Sequence, residues 1–253
     1  MARVNLKKNK IVAIVQARCG SIRLPNKIMK KIDGIPSIEL LYNRLKLSKE
    51  LDHIVIATSK NQGNKKLINF CEKNNINYFL GSENNVLKRY FDASKVFKAD
   101  IIVRITGDSI LIDPKLVDRI IKIFKKSKVD YVSNCEPPTF PDGLDVEVFS
   151  KKCLEKTYKL VKKGYDKEHV TTYIKRNKTK FKFKTYENNK DDSKIRLTID
   201  RAEDLKFLEK IISRFKKILN GRYISSKHII DFINKNKNIY KINSHIKRNK
   251  ILG

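Results

Sequence analysis

The chain has 253 residues, enough for one α/β domain, and its 40% of apolar residues can build a core. Its formal net charge of +30 favours anionic ligands, but lysine is spread along the whole chain, which indicates a compositional bias rather than one basic face. Specific nucleic-acid binding is therefore not expected, and no apolar run is long enough for a membrane span or a signal peptide.

Cysteine and histidine usage argues against the common metal and redox motifs. The four cysteines include no Cys-x-x-Cys pair, and the four histidines have no metal-ligand spacing. Because no secretory signal is expected, we predict reduced thiols and a cytoplasmic protein.

The first predicted element is a buried strand over residues 11–15, a short apolar run rich in β-branched side chains. It follows a basic lead-in over residues 1–10, which we expect to fray. We place one domain over residues 11–240 and a basic tail over residues 241–253.

The loop after this strand, residues 16–27, combines the turn-forming Gly20 with three cations, Arg18, Arg23 and Lys27. Backbone N–H groups in such a loop can bind phosphate oxygens while arginine and lysine neutralise their charge. The loop is neither a Walker A motif nor a Gly-x-Gly-x-x-Gly fingerprint. Charge alone therefore leaves two interpretations, a phosphate site and an ordinary basic surface loop.

Strands and helices alternate in the next part of the chain. Apolar spacing predicts helices over residues 35–45 and 67–73, and strands over residues 53–58 and 78–80. A further helix carries Val86, Leu87, Tyr90 and Phe91 on one face, with Ser82 as its expected cap. This alternation predicts an α/β fold with a mostly parallel central sheet flanked by helices.

The most apolar strand, over residues 100–106, leads directly into Gly107 and Asp108. In open α/β sheets, ligands bind beyond the carboxyl ends of the strands, and Mg²⁺ is held by one or two carboxylates plus phosphate oxygens. Asp108 is thus a candidate metal ligand or, alternatively, a helix cap. Asp113 fits the cap better because Pro114 follows it at the favoured first helical position.

The second half of the chain continues the α/β pattern. We predict helices over residues 114–126 and 151–163 and another opening near residue 167; the predicted strands cover residues 130–134, 180–187 and 195–200. A last helix opens after Asp200, which could cap it. Residues 225–236 and the tail are expected to be peripheral.

The loop from Ala17 to Lys27 runs Ala-Arg-x-Gly-Ser-x-Arg-Leu-Pro-x-Lys. This order resembles the nucleotide-binding loop of the sugar cytidylyltransferases, which activate Kdo and sialic-type acids and include the SpsF-type spore coat polysaccharide biosynthesis proteins. The resemblance extends from about residue 11 to about residue 208. Its further motifs, in family order, lie at residues 81–90, 106–109, 140–149, 168–171 and 198–205.

The resemblance implies a Rossmann-like, nucleotide-diphospho-sugar transferase (GT-A-like) fold and a Mg²⁺-dependent transfer from CTP to a sugar or sugar acid. Pyrophosphate would leave, and the product would serve surface polysaccharide, lipopolysaccharide or other glycan synthesis. Members of the family are often dimers, so a homodimer is compatible with it.

The resemblance also assigns roles residue by residue. Catalytic roles would fall on Arg18, Lys27, Asp108 and Asp200, the last two as metal ligands. Nucleotide-binding residues would be Ala17, Arg18, Gly20, Ser21, Arg23, Lys27, Arg89 and Asp108. The sugar site would contain Asn134, Asp145, Glu147 and His169.

Several alternatives stay open at this stage. For Asp142 we favour a solvated acidic turn, and a lone histidine such as His169 is more often structural than catalytic. Residues 61–65 lack the acidic side chains often found there in SpsF-type proteins, so the same chemistry could use GTP or another nucleoside triphosphate on an amino sugar or sugar phosphate. A non-catalytic nucleotide- or sugar-binding relative is a further alternative, and charge alone suggests a nucleic-acid-binding protein.

Overall fold

A computed structural model of the chain describes residues 9–162 and 164–248. Of the predicted lead-in and tail, residues 1–8 and 249–253 therefore lie outside the described residues. The strands, numbered in chain order, are β1 (Ile11–Gln16), β2 (Lys31–Ile32), β3 (Ile35–Pro36), β4 (His53–Ser59), β5 (Tyr78–Gly81), β6 (Ile101–Thr106), β7 (Tyr131–Ser133), β8 (Glu147–Ser150) and β9 (Phe183–Thr185).

Helices connect and cover these strands. They are α1 (Ser37–Leu45), α2 (Lys65–Lys73), α3 (Val86–Val96), α4 (Pro114–Lys126), α5 (Lys151–Leu160), α6 (Gly164–Glu168), α7 (Thr172–Arg176), α8 (Ala202–Arg214), α9 (Ser226–Lys235) and α10 (Lys237–Tyr240). No helix within the described ranges is long and apolar enough to cross a membrane.

The central sheet has seven strands in the order β5-β4-β1-β6-β8-β7-β9. Strands β5, β4, β1 and β6 are parallel, while β8 runs antiparallel to both of its neighbours, β6 and β7. Alternate residues of β1 enter two separate cores, because helices pack on both faces of the sheet. The predicted α/β fold with a mostly parallel, helix-flanked sheet is confirmed.

The pairing of β1 with β6 positions the site. Gln16 and Thr106 are register partners at the carboxyl ends of the two strands, so the loops that follow them leave the sheet side by side. Gly107 brings them into contact: its N–H donates to the Gln16 carbonyl at 2.9 Å. A Cβ at this position would lie 2.9 Å from the Ala17 Cβ, so only glycine allows this approach.

Two predicted element starts need correction. The predicted helix over residues 35–45 begins only at Ser37, because Ile35–Pro36 pairs with Lys31–Ile32 in a small antiparallel ribbon. Helix α3 is capped by Asn85, whose side chain accepts from the Lys88 N–H at 2.8 Å, and not by Ser82. In contrast, Asp113 caps α4 as predicted, by accepting from the Lys115 N–H at 2.9 Å.

The predicted strand over residues 195–200 is wrong. The segment is extended and its apolar side chains are buried, but it forms only an isolated bridge between Arg196 and Asp142. Its N–H groups bond two different segments: Leu197 donates to the Asp142 carbonyl at 2.7 Å and Ile199 to the Asp108 carbonyl at 3.1 Å. A segment that divides its bonds in this way cannot form a continuous ladder with either neighbour.

Helix α5 ends at Leu160, whereas the predicted end, Lys163, lies outside the described residues.

The C-terminal part of the domain differs most from expectation. Helix α9 buries Ile229 and Ile233 in the core, and Asn243 is only 1% exposed. The prediction that this part of the chain is peripheral is therefore wrong.

Candidate active site

The loop after β1 folds back on itself. The Cys19 carbonyl accepts from Ser21 N–H at 2.8 Å and from Asn26 N–H at 3.1 Å, while the Cys19 N–H donates to the Asn64 side chain at 2.8 Å. Asn26 adopts a left-handed conformation with φ of 55°, which turns the chain into a short 3₁₀ helix, Lys27–Met29. Lys27 is the first residue of this helix.

Lys27 joins the two acids that the resemblance assigns to a metal. Its Nζ lies 2.8 Å from Asp108 Oδ2 and 3.0 Å from Asp200 Oδ1, and its side chain is only 14% exposed. Burial alone lowers the pKa of Lys27, but the attraction of Asp108 and Asp200 outweighs it and raises the pKa above its ordinary value. Lys27 is therefore a charged group between two carboxylates.

Asp200 binds further cations. Arg23 Nε donates to Asp200 Oδ2 at 2.7 Å, and Arg196 Nη2 lies 3.6 Å from the same oxygen. Burial alone raises the pKa of Asp200, but Lys27 and Arg23 more than offset it and lower the pKa below its usual value. Asp200 is thus held ionised at neutral pH.

The acid pair fits a divalent cation that also binds phosphate. Asp108 and Asp200 each place an oxygen within 3.0 Å of one nitrogen atom, so both can reach a shared cation. Carboxylate oxygens are the ligands Mg²⁺ prefers, usually one or two together with substrate phosphates. Within the described residues, no group of three or more histidine, cysteine, aspartate or glutamate side chains is placed to hold a metal ion.

A family model described as Cytidylyltransferase matches residues 12–246, nearly the whole chain. The chain belongs to the cytidylyltransferase family. The resemblance stated from the loop and the later motifs is thereby confirmed, and so is the prediction of an enzyme that transfers nucleotidyl groups.

Individual relatives agree with the family assignment. The chain is 39% identical to the uncharacterized protein MJ1063 of Methanocaldococcus jannaschii, over 94% of this chain and 96% of that protein. It is 30% identical to the spore coat polysaccharide biosynthesis protein SpsF of Bacillus subtilis, over 90% and 95% respectively. A solved cytidylyltransferase from Leptospira borgpetersenii is similar with a TM-score of 0.88 and 36% identity, over 96% of this chain and all of that one.

Two predicted sugar-site residues of this cytidylyltransferase are bonded inside the protein. Asn134 Nδ2 donates to the Leu144 carbonyl and its Oδ1 accepts from the Val146 N–H, both at 2.8 Å. These bonds tie the strand end at residue 134 to the loop before β8. Sugar binding by Asn134 stays a prediction.

Glu147 is the second internally bonded residue. Its carboxylate accepts from Thr171 Oγ1 at 2.8 Å and from Lys175 Nζ at 2.9 Å, and it also binds Arg104 and Tyr131. Burial alone raises the pKa of Glu147, but Lys175 and Arg104 outweigh it and hold the pKa well below its usual range. Glu147 therefore anchors two cations whose side chains are 10% and 14% exposed, and its role as a sugar ligand stays a prediction.

Other predicted binding residues of the cytidylyltransferase lie around the loop. Arg18 is exposed, with Nη2 3.7 Å from Glu168 Oε1. Arg89 is buried, donates through Nη1 to the Ser82 carbonyl at 2.9 Å, and has a buried Nε without a partner in the described part of the chain. His169 is half-buried against the Tyr165 ring at a centroid distance of 4.4 Å, and burial lowers its pKa.

Three further predicted residues form the backbone of the loop. Ala17 is buried and its N–H donates to the Ala57 carbonyl at 3.1 Å, which fixes the start of the loop to β4. Gly20 is exposed with open space around its Cα, and Ser21 Oγ accepts from the Leu24 N–H at 3.4 Å. Their nucleotide contacts stay predictions.

The acidic turn before β8 is more enclosed than predicted. Asp142, taken from the sequence as solvated, has a side chain only 15% exposed, and its Oδ2 lies 2.6 Å from Arg196 Nη1. Burial, followed by the charge of Asp145, raises the pKa of Asp142 to about 6. Arg248 binds Asp145 and donates to the Phe140 carbonyl at 3.2 Å, so the C-terminal segment reaches this turn.

Sequence reasoning missed the group that holds Asp200 in place. Asp204 is fully buried, and its Oδ2 accepts from the backbone N–H of Asp200 at 3.1 Å and of Arg201 at 2.9 Å. Arg196 Nε and Asn243 Nδ2 donate to the other oxygen at 2.9 and 3.1 Å. Arg196 lies in the otherwise mostly apolar run over residues 195–199, which indicates a buried ion pair. No local pattern singles out Asn243.

Replacing Asn243 by leucine is expected to lower the free energy of unfolding by about 1–3 kcal/mol, because buried acceptors on Asp204 and Arg196 lose their donor. Urea denaturation measures the change. Asn238→Leu is the matched control, since Asn238 is exposed in the same part of the chain and its change should stay within about 0.5 kcal/mol. Equal midpoints for the two variants would contradict the docking of Asn243 against Asp204.

Proposed function

We propose that the protein transfers a cytidylyl group from CTP to a hydroxyl of a sugar or sugar acid. The observation that carries this proposal is the contact of Lys27, from the loop after β1, with both Asp108 and Asp200. It brings a phosphate-binding type of loop and a metal-binding type of acid pair into one site. The family match supports cytidine as the base.

The reaction follows from ordinary phosphoryl chemistry. The acceptor oxygen attacks the α-phosphorus of CTP, the hydroxyl releases its proton to solvent, and the bond from the α-phosphorus to the bridging oxygen breaks so that pyrophosphate leaves. Asp108 and Asp200 would hold Mg²⁺, which would neutralise phosphate charge as a Lewis acid. Catalysis then consists mainly of positioning and charge stabilisation.

The loop cations suit the remaining charge. Arg18 is exposed, and the Arg23 side chain is 49% exposed, so both can reach a triphosphate at the edge of the sheet. The Lys27 side chain is only 14% exposed, so it can meet only the phosphate that enters closest to Asp108 and Asp200. This depth difference favours Lys27 near the reacting phosphate and the arginines near the outer phosphates.

The biological product would be a CMP-activated sugar. The similarity to SpsF, a protein named for spore coat polysaccharide biosynthesis, supports a role in surface polysaccharide or related glycan synthesis. CTP is a cytoplasmic metabolite, so the proposed reaction belongs in the cytoplasm.

Binding of the four nucleoside triphosphates, each with and without Mg²⁺, tests the donor. A ligand that binds only the native state raises its melting temperature, so CTP with Mg²⁺ should raise it most. At a CTP concentration one hundred times the dissociation constant, the free energy of unfolding should rise by about 2.7 kcal/mol. If GTP raised the melting temperature more than CTP, GTP would be the proposed donor. Pyrophosphate release across a panel of sugars and sugar acids then tests turnover and identifies the acceptor class.

A further inference from the structure

The ammonium of Lys27 occupies the space between the two proposed metal ligands. It contacts Asp108 Oδ2 at 2.8 Å and Asp200 Oδ1 at 3.0 Å, which are the distances of charge-assisted hydrogen bonds. Arg23 holds the second oxygen of Asp200. Two protein cations therefore already compensate the two carboxylates.

A divalent cation bound by this pair would compete with Lys27 for the same two oxygen atoms. The side chains of Lys27 and Asp200 are 14% and 6% exposed, so solvent screens the repulsion between the ammonium and a metal only weakly. A metal can enter only if the ammonium moves away. In the free protein this movement would leave a largely buried lysine without its partners, which is costly.

A triphosphate removes that cost. Its oxygens offer Lys27 and Arg23 new anionic partners, and the lysine stem is flexible enough to change partners without moving the backbone. Once Lys27 binds phosphate, the two oxygens that it contacted, Asp108 Oδ2 and Asp200 Oδ1, no longer bind the ammonium. The two carboxylates and the phosphates would then offer the kind of oxygen ligands that Mg²⁺ binds, with water in the remaining positions.

We propose that Lys27 couples the binding of metal to the binding of nucleotide. In the free protein it holds Asp108 and Asp200 together and keeps divalent cations out. When the nucleotide binds, it transfers to phosphate and releases both acids. The inference rests on the proposed function, and it adds a prediction about affinity that turnover alone does not make.

Manganese binding tests the coupling without an acceptor. Mn²⁺ alone is titrated into the wild-type protein and into Lys27→Met, with dissociation constants read by electron paramagnetic resonance of the free ion. Removing the competing ammonium should tighten binding of Mn²⁺ alone by roughly 5- to 150-fold, the usual range of coupling between two sites. Lys30→Met is the matched control, because Lys30 is exposed in the same segment, and it should match the wild type.

A thermodynamic cycle completes the test. Binding of CTP in EDTA and of the Mn²⁺–CTP complex, corrected for complex formation in solution, gives the factor by which CTP tightens Mn²⁺. This factor should be large in the wild type and several-fold smaller in Lys27→Met. Lys27→Gln, which removes the charge but keeps a polar side chain, repeats the measurement should the methionine variant fold poorly.

The outcomes separate the two proposals. If the wild type binds CTP and Mn²⁺ together but Lys27→Met and Lys27→Gln leave both the Mn²⁺ affinity and the coupling factor unchanged, the inference is overturned and the proposed function stands. If the wild type binds no nucleoside triphosphate, the proposed function itself fails. Tighter binding of Mn²⁺ alone together with a reduced coupling factor supports the inference.

Discussion

An Asp108→Asn variant is expected to transfer the nucleotidyl group at least about a hundredfold more slowly than the wild-type protein, with little change in melting temperature. A bound metal stabilises the transition state by several kcal/mol, and each 1.36 kcal/mol is about a factor of ten in rate. Asparagine has the same shape as aspartate but lacks the negative charge that would attract the proposed Mg²⁺. The Asp108 side chain is 27% exposed, so the fold does not depend on its burial.

Pyrophosphate release measures this effect, with the acceptor that gives the highest wild-type rate. Asp92→Asn is the matched control, because its side chain is 31% exposed and bonded to one lysine, Lys88, much as Asp108 is bonded to Lys27. The control should keep nearly the full rate. If Asp108→Asn released pyrophosphate as fast as this control, Asp108 would not be a ligand of the proposed metal.

Gly143→Ala is expected to lower the free energy of unfolding by roughly 3 kcal/mol, through backbone strain and overpacking together. Gly143 has a φ of 98°, which a residue with a Cβ rarely adopts. A Cβ there would lie 2.7 Å from the Thr198 backbone nitrogen and 2.8 Å from the Leu197 carbonyl carbon. The backbone around residue 197 would have to move, and with it the bond from Leu197 N–H to the Asp142 carbonyl.

Thermal denaturation measures this loss. At about 2–4 °C per kcal/mol for a chain of this size, the melting temperature should fall by roughly 6–12 °C. Gly164→Ala serves as the control, because nothing lies within 4 Å of a Cβ added there. If Gly143→Ala had the same melting temperature as this control, the turn at residue 143 would be free to relax.

Local patterns predicted the elements that depend on local physics. Helix α4 begins at Pro114 and ends at Lys126 as predicted, because its apolar spacing, its cap at Asp113 and its proline all act within a few residues. The segment over residues 195–200 shows the limit of this approach. Its apolar run resembles a strand, but whether a strand forms depends on neighbours that supply a continuous ladder, and here Asp142 and Asp108 each supply only part of one.

The contacts of the C-terminal segment could not be predicted from the sequence. Asn243 is 39 residues from Asp204, and Arg248 is 103 residues from Asp145. Asparagine and arginine near the end of a basic chain look like solvated residues. They become part of the site because the packing of helix α9 on the core brings the following segment back across the domain.

The sequence by itself determined strand β1, the cationic loop after it and helix α4 with its cap at Asp113, because hydrophobic periodicity, turn chemistry and capping are local properties. The order of residues in the loop also identified the family. Only the tertiary structure decided that Lys27 meets Asp108 and Asp200, which are 81 and 173 residues away along the chain. Such contacts arise because β1 pairs with β6 and the segment ending at Asp200 bonds to the loops that follow both strands, and no local pattern encodes that packing.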